Sequence, residues 1–467
     1  MWRKLIFGLC LGLALPLSAQ PLQTPPETAA LARKPLTLDQ SRALGLQAIR
    51  VGRPDIAHDV ALVLLEKDKA DPFAHFLMAT ALMHLKRLPE AELASKRAFR
   101  LAKSPEQYHQ SARLAAQAAY QQGQFTEAQW WLRRAAHHAP KDAQRSRSIA
   151  DFNAVKRQNP LSYSLRFSVT PSNNVNNGSE DAFNIIDGLP QVGVLSADAQ
   201  ALSGVTSRAG ATLRYRLRES TRRSTFFQVN ADFTVVTLDS AAKAQLDGNP
   251  EPELDTRQLE FSVQQNHLNE AADARLSYGI SIGRRWQDGF DPRDHLRGNL
   301  GWTKAINPKT ILSLATSAEV RTTQSSLTKN DQLYAVSAGL TRALPGGSSL
   351  GGLVFASTYR TELSGQSSNS IGLRVSFTPA AELGPMRMKF NLGLQKAEYK
   401  GYTLAGIVVP GGRRDVSHFA EVEVLFPKLD YLGFSPGLSL RHQQTNSNVS
   451  RFDTSETSTL LGIKSLF

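Results

Sequence analysis

From Leu161 to Phe467 the chain alternates apolar and polar side chains in segment after segment. At the first segment, apolar Tyr163, Leu165 and Phe167 alternate with serine and arginine. A period of two places the two kinds of side chain on opposite faces of a β-strand. This part of the chain is therefore predicted to be β-sheet with one apolar and one polar face, and helical bundles are excluded for it.

Roughly fourteen such segments of about 8–14 residues follow one another, the strand length and even number typical of an outer-membrane β-barrel. Their connections alternate in length. Short turns include 218–223 and 344–348, whereas longer polar stretches include 171–203, 237–254 and 285–294. In an antiparallel sheet, short turns and long loops that alternate lie at opposite ends. A transmembrane barrel has this asymmetry, and a soluble β-sandwich gives no reason for it.

Charged residues of these segments share the polar face. An arginine or lysine facing lipid near the bilayer midplane costs about 2–4 kcal/mol, so the polar face is predicted to line the lumen. The formal net charge of +13, from 54 Lys and Arg against 41 Asp and Glu, then requires no nucleic acid partner. The charged residues predicted to face the lumen are Arg166, Arg208, Arg214, Arg216, Arg275, Arg297, Arg374, Arg387, Glu421 and Glu423, together with Lys389, Arg441, Lys464, Asp232, Glu260 and Glu319.

The last segment ends in an aromatic residue. Leu461, Ile463 and Phe467 fall on one face of it. A C-terminal strand that ends in Phe resembles the signal by which outer-membrane barrels are recognised for insertion. This resemblance implies the barrel-assembly machinery and outer-membrane lipid as partners.

The first 19 residues are predicted to be a secretory signal peptide. Arg3 and Lys4 precede an apolar run, and small residues before Gln20 offer a cleavage site. The run is shorter than the roughly 20 residues of a spanning helix and contains Pro16. The single cysteine, Cys10, lies inside it, so disulfides, zinc–cysteine clusters and cysteine nucleophiles are excluded for the mature chain.

Residues 36–156 carry apolar residues at helical spacing and are predicted to form a periplasmic helical domain, followed by the barrel at 161–467. The motifs GRPDIA, KRLPEA and GQFTEA recur at about 34–37 residues, which resembles a tetratricopeptide array over about 38–140. Such an array has a concave face for a peptide or extended chain. In this register the face is predicted to carry Phe73, Phe76, Met83, Arg113, Gln117 and Tyr120. A generic helical bundle, with the apolar residues in its core, is the alternative.

A periplasmic repeat domain followed by such a barrel resembles the surface lipoprotein assembly modifier family of outer-membrane translocons. The most telling stretch is the start of the barrel, where the first strand leads into Asn173-Asn174-Val175-Asn176-Asn177. The resemblance implies a factor in the outer membrane that delivers a client lipoprotein, or a secreted protein, from the periplasm to the cell surface. It implies no catalytic residues, no cofactor and no metal. We expect a monomer that is not an enzyme.

Three other functions agree with part of the pattern. An exporter of anionic exopolysaccharide also combines repeats with a barrel, and an arginine-rich lumen suits its cargo. A porin for small solutes accounts for the barrel but gives the helical domain no role. A barrel hydrolase needs Ser and His within reach of one another, and the strand region has four His residues but no Gly-x-Ser-x-Gly motif.

Overall fold

The structure is a computed structural model that describes residues 36–187, 193–323, 330–363, 365–404 and 406–465. The predicted signal peptide, Cys10 and Phe467 lie outside the described residues.

Seven helices precede the barrel in the described part of the chain. They are α1 (Leu38–Arg50), α2 (Pro54–Lys67), α3 (Pro72–His84), α4 (Leu88–Leu101), α5 (Pro105–Gln121), α6 (Phe125–His137) and α7 (Asp142–Gln158). Side-chain caps at Thr37, Asp71 and Ser104 begin α1, α3 and α5, each accepting a backbone N–H that the first turn leaves without a partner. None of the described helices is long and apolar enough to cross a membrane.

The repeated motifs form the tight turns between paired helices. Their first residues, Gly52, Lys86 and Gly123, all have positive φ, at 75°, 61° and 76°. A left-handed residue at this place ends one helix and turns the chain into the next. The last residue of each motif is an alanine that is 0% exposed, as at Ala57 and Ala128. Side chains this small let adjacent helices approach closely, which explains the alanine-rich core.

Fourteen antiparallel strands within the described residues close into a barrel. They are β1 (Leu161–Ser172), β2 (Gly204–Glu219), β3 (Arg223–Leu238), β4 (Thr256–Asn269), β5 (Ala274–Gln287), β6 (Phe290–Asn307), β7 (Thr310–Thr323), β8 (Asn330–Ala343), β9 (Ser349–Thr361), β10 (Ser368–Thr378), β11 (Arg387–Tyr399), β12 (Arg413–Leu425), β13 (Phe434–Ser447) and β14 (Thr454–Ser465). The predicted fold class, tetratricopeptide-like helices followed by an antiparallel barrel of about 14 strands, is confirmed.

One predicted loop is wrong. The stretch 285–294 is not a long loop, because β5 and β6 continue through it to a tight turn at Asp288-Gly289, where Gly289 has a φ of 77°. Its polar composition indicates a loop, but Asp294 and the preceding Arg284 form an ion pair between neighbouring strands, with 2.6 Å from Nε to Oδ1. Both face outward beside Trp286, close to the end of the strands, where an interfacial aromatic belt is expected.

The long loops at the extracellular end fold together into a rim. Their own apolar core is formed by Ile186, Tyr402, Leu404, Val409 and Val449, all buried. We call this the rim cluster.

The Arg413 side chain connects the barrel to the rim cluster, where it lies over the Tyr402 ring at 5.4 Å. The Arg413 guanidinium on β12 lies 2.6 Å from Asp415, and both side chains are buried. The same guanidinium stacks 3.2 Å from the ring centre of Phe452 and 4.1 Å from that of Tyr399. Burial of a charged pair is tolerated here because the pair is in direct contact and flanked by aromatic faces.

The barrel closes between β1 and β14, and we call this junction the seam. Register partners across it are Ser168–Gly462, Val169–Leu461 and Ser172–Ser458. By contrast, β1 is registered residue by residue with β2, from Leu161–Tyr215 to Ser172–Gly204. The seam is therefore paired only toward its extracellular end within the described residues.

Candidate functional site

A groove lies on the concave side of the helices, between α3, α5 and α7. It encloses about 530 Å³. Leu114, Leu132 and Val155 contribute apolar surface, and Arg113 and Asp151 form an ion pair of 2.8 Å on its wall. Such a mixture can hold an extended peptide through both apolar side chains and backbone groups. The residues that line the groove are Phe76, Thr80, Gln110, Arg113, Leu114, Ala116, Gln117, Tyr120, Leu132, Asp151, Ala154, Val155 and Gln158.

Four of the six residues predicted for this face, Phe76, Arg113, Gln117 and Tyr120, line the groove. Met83 does not. It is 6% exposed and belongs to the core between α2, α3 and α4, so its prediction as a surface residue is wrong. Phe73 is half-buried against the same core, below the Arg42 guanidinium at 5.3 Å. The helical period alone does not separate these positions, because α3 is apolar on nearly all sides.

Several of the charged residues that line the lumen form ion pairs. Arg166 donates to Asp232 at 2.8 Å, and Arg297 donates to Glu319 at 2.6 Å. Lys464 lies 2.7 Å from Glu423. Paired charges in a water-filled lumen leave little net attraction for a passing ion, in contrast to an unbroken row of one sign.

The register places all the predicted lumen charges on one side of the wall. Large apolar residues of the same strands point outward, among them Leu213, Ile280 and Leu392, each at least 46% exposed. The inward residues are Arg166, Arg208, Arg214, Arg216, Asp232, Glu260, Arg275, Arg297, Glu319, Arg374, Arg387, Lys389, Glu421, Glu423, Arg441 and Lys464. Leu461 and Ile463 of the predicted insertion signal face outward.

Sequence reasoning missed an inward aromatic site. Phe419 lies between Arg374 and Arg441, whose guanidinium carbons are 5.4 and 4.0 Å from its ring centre. The ring crosses Gly393 on the neighbouring strand, where a Cβ atom would collide with it. Phe419 has the same parity as Glu421, so the alternation could have revealed its direction. A cavity of about 330 Å³ opens beside it within the barrel.

The helices are docked on the short-turn end of the barrel. From α6, Arg133 donates to the Leu432 carbonyl at 3.2 Å and to Ser465 Oγ at 3.0 Å, and it lies 4.7 Å from the Phe434 ring centre. From α7, Arg145 donates to Asp430 at 2.5 Å. These contacts tie α6 and α7 to the turn between β12 and β13 and to the end of β14.

Arg216, predicted only to face the lumen, also contacts the helices. Although it lies on the inward side of β2, it donates to the carbonyl oxygens of Arg157 and Gln158, both at 2.8 Å. These are the last residues of α7, and a cation at the carboxyl end of a helix is stabilising. The Gln158 side chain in turn accepts the Tyr120 hydroxyl at 2.8 Å. Gln158 therefore connects the groove to the lumen wall.

The carboxylate of Glu127 supports the helices that border the groove. It lies 2.7 Å from Lys96 Nζ and accepts the Trp131 indole N–H at 3.1 Å. Hydrogen bonding to Lys96 lowers the pKa of Glu127, and this effect outweighs partial burial, which acts to raise that pKa.

The profile of the surface lipoprotein assembly modifier family matches residues 162–467. The chain belongs to this family. It is an outer-membrane β-barrel protein whose helices lie on the periplasmic side. No curated protein matches the chain.

Solved structures match its two parts separately. PcrH in complex with the chaperone-binding region of PopD is 21% identical, with a TM-score of 0.24, over 26% of this chain and 92% of that chain. The Yersinia enterocolitica type III secretion translocator chaperone SycD is 21% identical, with a TM-score of 0.24, over 26% of this chain and 84% of that chain. An outer-membrane channel from Pseudomonas putida F1 is 11% identical, with a TM-score of 0.33, over 64% of this chain and 94% of that chain.

Proposed function

We propose that this protein delivers lipoproteins from the periplasm to the cell surface. The helical groove holds the client in an extended or partly folded form, and the barrel provides the route across the membrane. Delivery in this proposal involves no catalysis by the chain itself. Secreted proteins without lipid are the second class of client, and the same groove would serve both.

The observation that carries the proposal is the connection at Gln158. One residue is bonded on its side chain to the groove wall at Tyr120 and on its backbone to the lumen wall at Arg216. The groove therefore ends at the opening of the barrel, and a client released there has a short path to the lumen. A porin for small solutes would need neither the groove nor this connection.

Pairing of part of the lumen charge lowers its attraction for an anionic polysaccharide. Arg166, Arg297 and Lys464 each contact a carboxylate, so these cations are already neutralised locally. A polyanion would have to displace three carboxylates from them. A polypeptide with charges of both signs meets no such barrier.

The decisive test removes the gene and treats intact cells with protease. We expect one or a few lipoproteins to lose surface exposure while their cellular amounts stay level, as quantified by mass spectrometry. Loss of a surface polysaccharide with unchanged lipoproteins would instead identify a glycan exporter. Large steady conductance of the purified full chain in a planar bilayer would identify a porin.

A groove variant tests the client site. Gln117→Trp puts a bulky ring into the groove, and we expect client exposure to fall at least about fivefold, since few contacts carry most of the binding energy. Gln47→Trp, on the exposed surface of α1 and outside the groove, is the matched control and should leave exposure unchanged. Equal exposure in both variants would exclude the groove as the client site.

A further inference from the structure

The seam is the place where the barrel wall is least closed. Continuing its register toward the periplasm from Ser168–Gly462 places Arg166 opposite Lys464, yet the structure has no register pair there. Both side chains are inward and cationic, and like charges directly opposite one another destabilise a strand pair. Each cation instead turns away from the seam, Arg166 to Asp232 on β3 and Lys464 to Glu423 on β12. The two cations therefore disfavour strand pairing in the periplasmic half of the seam.

At the extracellular end of the seam, side-chain hydrogen bonds add to the few backbone pairs. Asn173 accepts the Thr457 N–H at 2.7 Å, and Asn174 donates to the Ser455 carbonyl at 3.1 Å. Ser172 donates to Glu456 at 2.9 Å. We call these three contacts the latch. Side-chain bonds can be exchanged one at a time, whereas a continuous β-ladder is lost only as a unit. The asparagine-rich stretch singled out in the sequence thus contributes two of its residues to closing the barrel.

The helices contact both sides of the seam. On one side, Arg133 donates to Ser465 at the end of β14. On the other, the Trp130 side chain lies beside the Tyr163 hydroxyl on β1. Two residues of α6 that are three positions apart therefore contact the two strands, and Leu132 of the same helix lines the groove.

We propose that the seam is a lateral exit, through which the acyl chains of a lipoprotein pass from the interior into the outer leaflet. This inference rests on the proposed function. An acyl chain is poorly solvated by a lumen of ion pairs, and elsewhere a registered wall separates that lumen from lipid. Opening a wall in lipid leaves backbone groups without hydrogen-bond partners, so passage is easiest where fewest are paired. The unpaired half admits the chains from the periplasmic side, and release of the latch connects them to the outer leaflet.

A reversible crosslink tests the exit. Val169→Cys with Leu461→Cys joins β1 to β14 at a register pair, and opposed Cα atoms about 4.5–5.5 Å apart are within reach of a disulfide. We expect exposure of the dependent lipoproteins to fall about tenfold or more, as for a closed gate, and to return after reduction of the same cells. Leu440→Cys with Thr459→Cys joins β13 to β14 in the same way and is the matched control, expected to leave exposure unchanged. Normal exposure with the seam crosslinked, or a loss that reduction does not reverse, would overturn the proposal.

A second experiment needs no natural client. The purified full chain in phospholipid nanodiscs is exposed to a triacylated lipopeptide with a photoreactive group in one acyl chain. We expect crosslinks to β1 and β14 to exceed those to β6 and β7 by about fivefold, because mere partition into the bilayer reaches all outward faces alike. Asn173→Ala with Asn174→Ala should raise the yield at the seam. Asn176→Ala, whose side chain bonds only to backbone groups of its own loop, should not.

The two experiments separate failure of the exit from failure of the function. Even labelling of all strands would exclude the exit even where deletion of the gene removes lipoproteins from the surface. Preferential labelling of the seam that the crosslink abolishes would support the exit even where no lipoprotein depends on the gene.

Discussion

The helical unit and the barrel expose leucines to the same extent and for opposite reasons. Leu93 on α4 is 52% exposed, and Leu392 on β11 is 59% exposed. Leu93 faces water from a unit whose core is built of alanine, whereas Leu392 faces lipid from a unit whose charges are inside. The exposed fraction of a side chain therefore does not tell what a site tolerates. Which substitutions a site tolerates depends on whether water or lipid surrounds it, and the period of the surrounding sequence indicates which of the two is present.

The comparison is tested most strongly by the same substitution at both leucines. Leu392→Arg should lower the free energy of unfolding of the barrel by about 2–4 kcal/mol, because the charge enters hydrocarbon. Leu93→Arg should change that of the helices by less than about 0.5 kcal/mol, as for most surface substitutions. Urea unfolding of the full chain in lipid vesicles, followed by tryptophan fluorescence, measures both. Equal effects would show that β11 does not face lipid.

A smaller effect is expected from enlarging an alanine. Ala115 on α5 is 0% exposed, and Ala115→Leu should destabilise the helices by about 1–3 kcal/mol through overpacking. Ala209 on β2 is exposed on the outward face opposite Phe167, so Ala209→Leu only adds apolar surface toward lipid. We expect no loss of barrel stability from it. Thermal unfolding of the two variants, each compared with the unmodified chain, tests whether a larger side chain destabilises the helices but not the barrel.

The smallest predicted effect concerns acid. The pKa of Glu127 is lowered in the folded helices by Lys96, so its ionised form stabilises them. This contribution is fully present above the ordinary value of 4.5 and is lost as the pH falls through the lowered pKa. Glu127→Gln should flatten the pH dependence of helix unfolding between about pH 5 and 3. An unchanged slope, measured by circular dichroism, would show that the pair with Lys96 is too well screened by water to matter.

The alternation predicted the barrel because, with a period of two, the polar residues of a strand face the lumen either all together or not at all. Shifting the register of β1 by one residue would turn Arg166 toward lipid together with every residue of the same parity on that strand. The same holds for Arg297 on β6, so the charges of each strand independently indicate which face is inward. The prediction of a loop at the polar stretch 285–294 is wrong, and Arg284 and Asp294 neutralise one another there on the outward face. Only the pairing of β5 with β6 shows that these two residues, ten apart in the sequence, meet.

The groove was less predictable than the lumen. A helical period identifies a face, but α3 is apolar on nearly all sides, so Met83 in the core and Phe76 in the groove have the same appearance in the sequence. The contacts of Arg133 with Ser465 and of Arg145 with Asp430 join residues far apart in the chain. No local pattern announces such contacts, since each partner is an ordinary charged or polar residue at the end of an element.

The rim cluster determines what the cell presents to its surroundings. With Ile186, Val409 and Val449 turned inward and Arg413 held between aromatic rings, neighbouring loops form one folded surface. An antibody raised against a short linear peptide from a single loop would find part of its epitope hidden on intact cells. Serum raised against the folded protein would recognise a patch made of several loops, and its binding would be lost on denaturation.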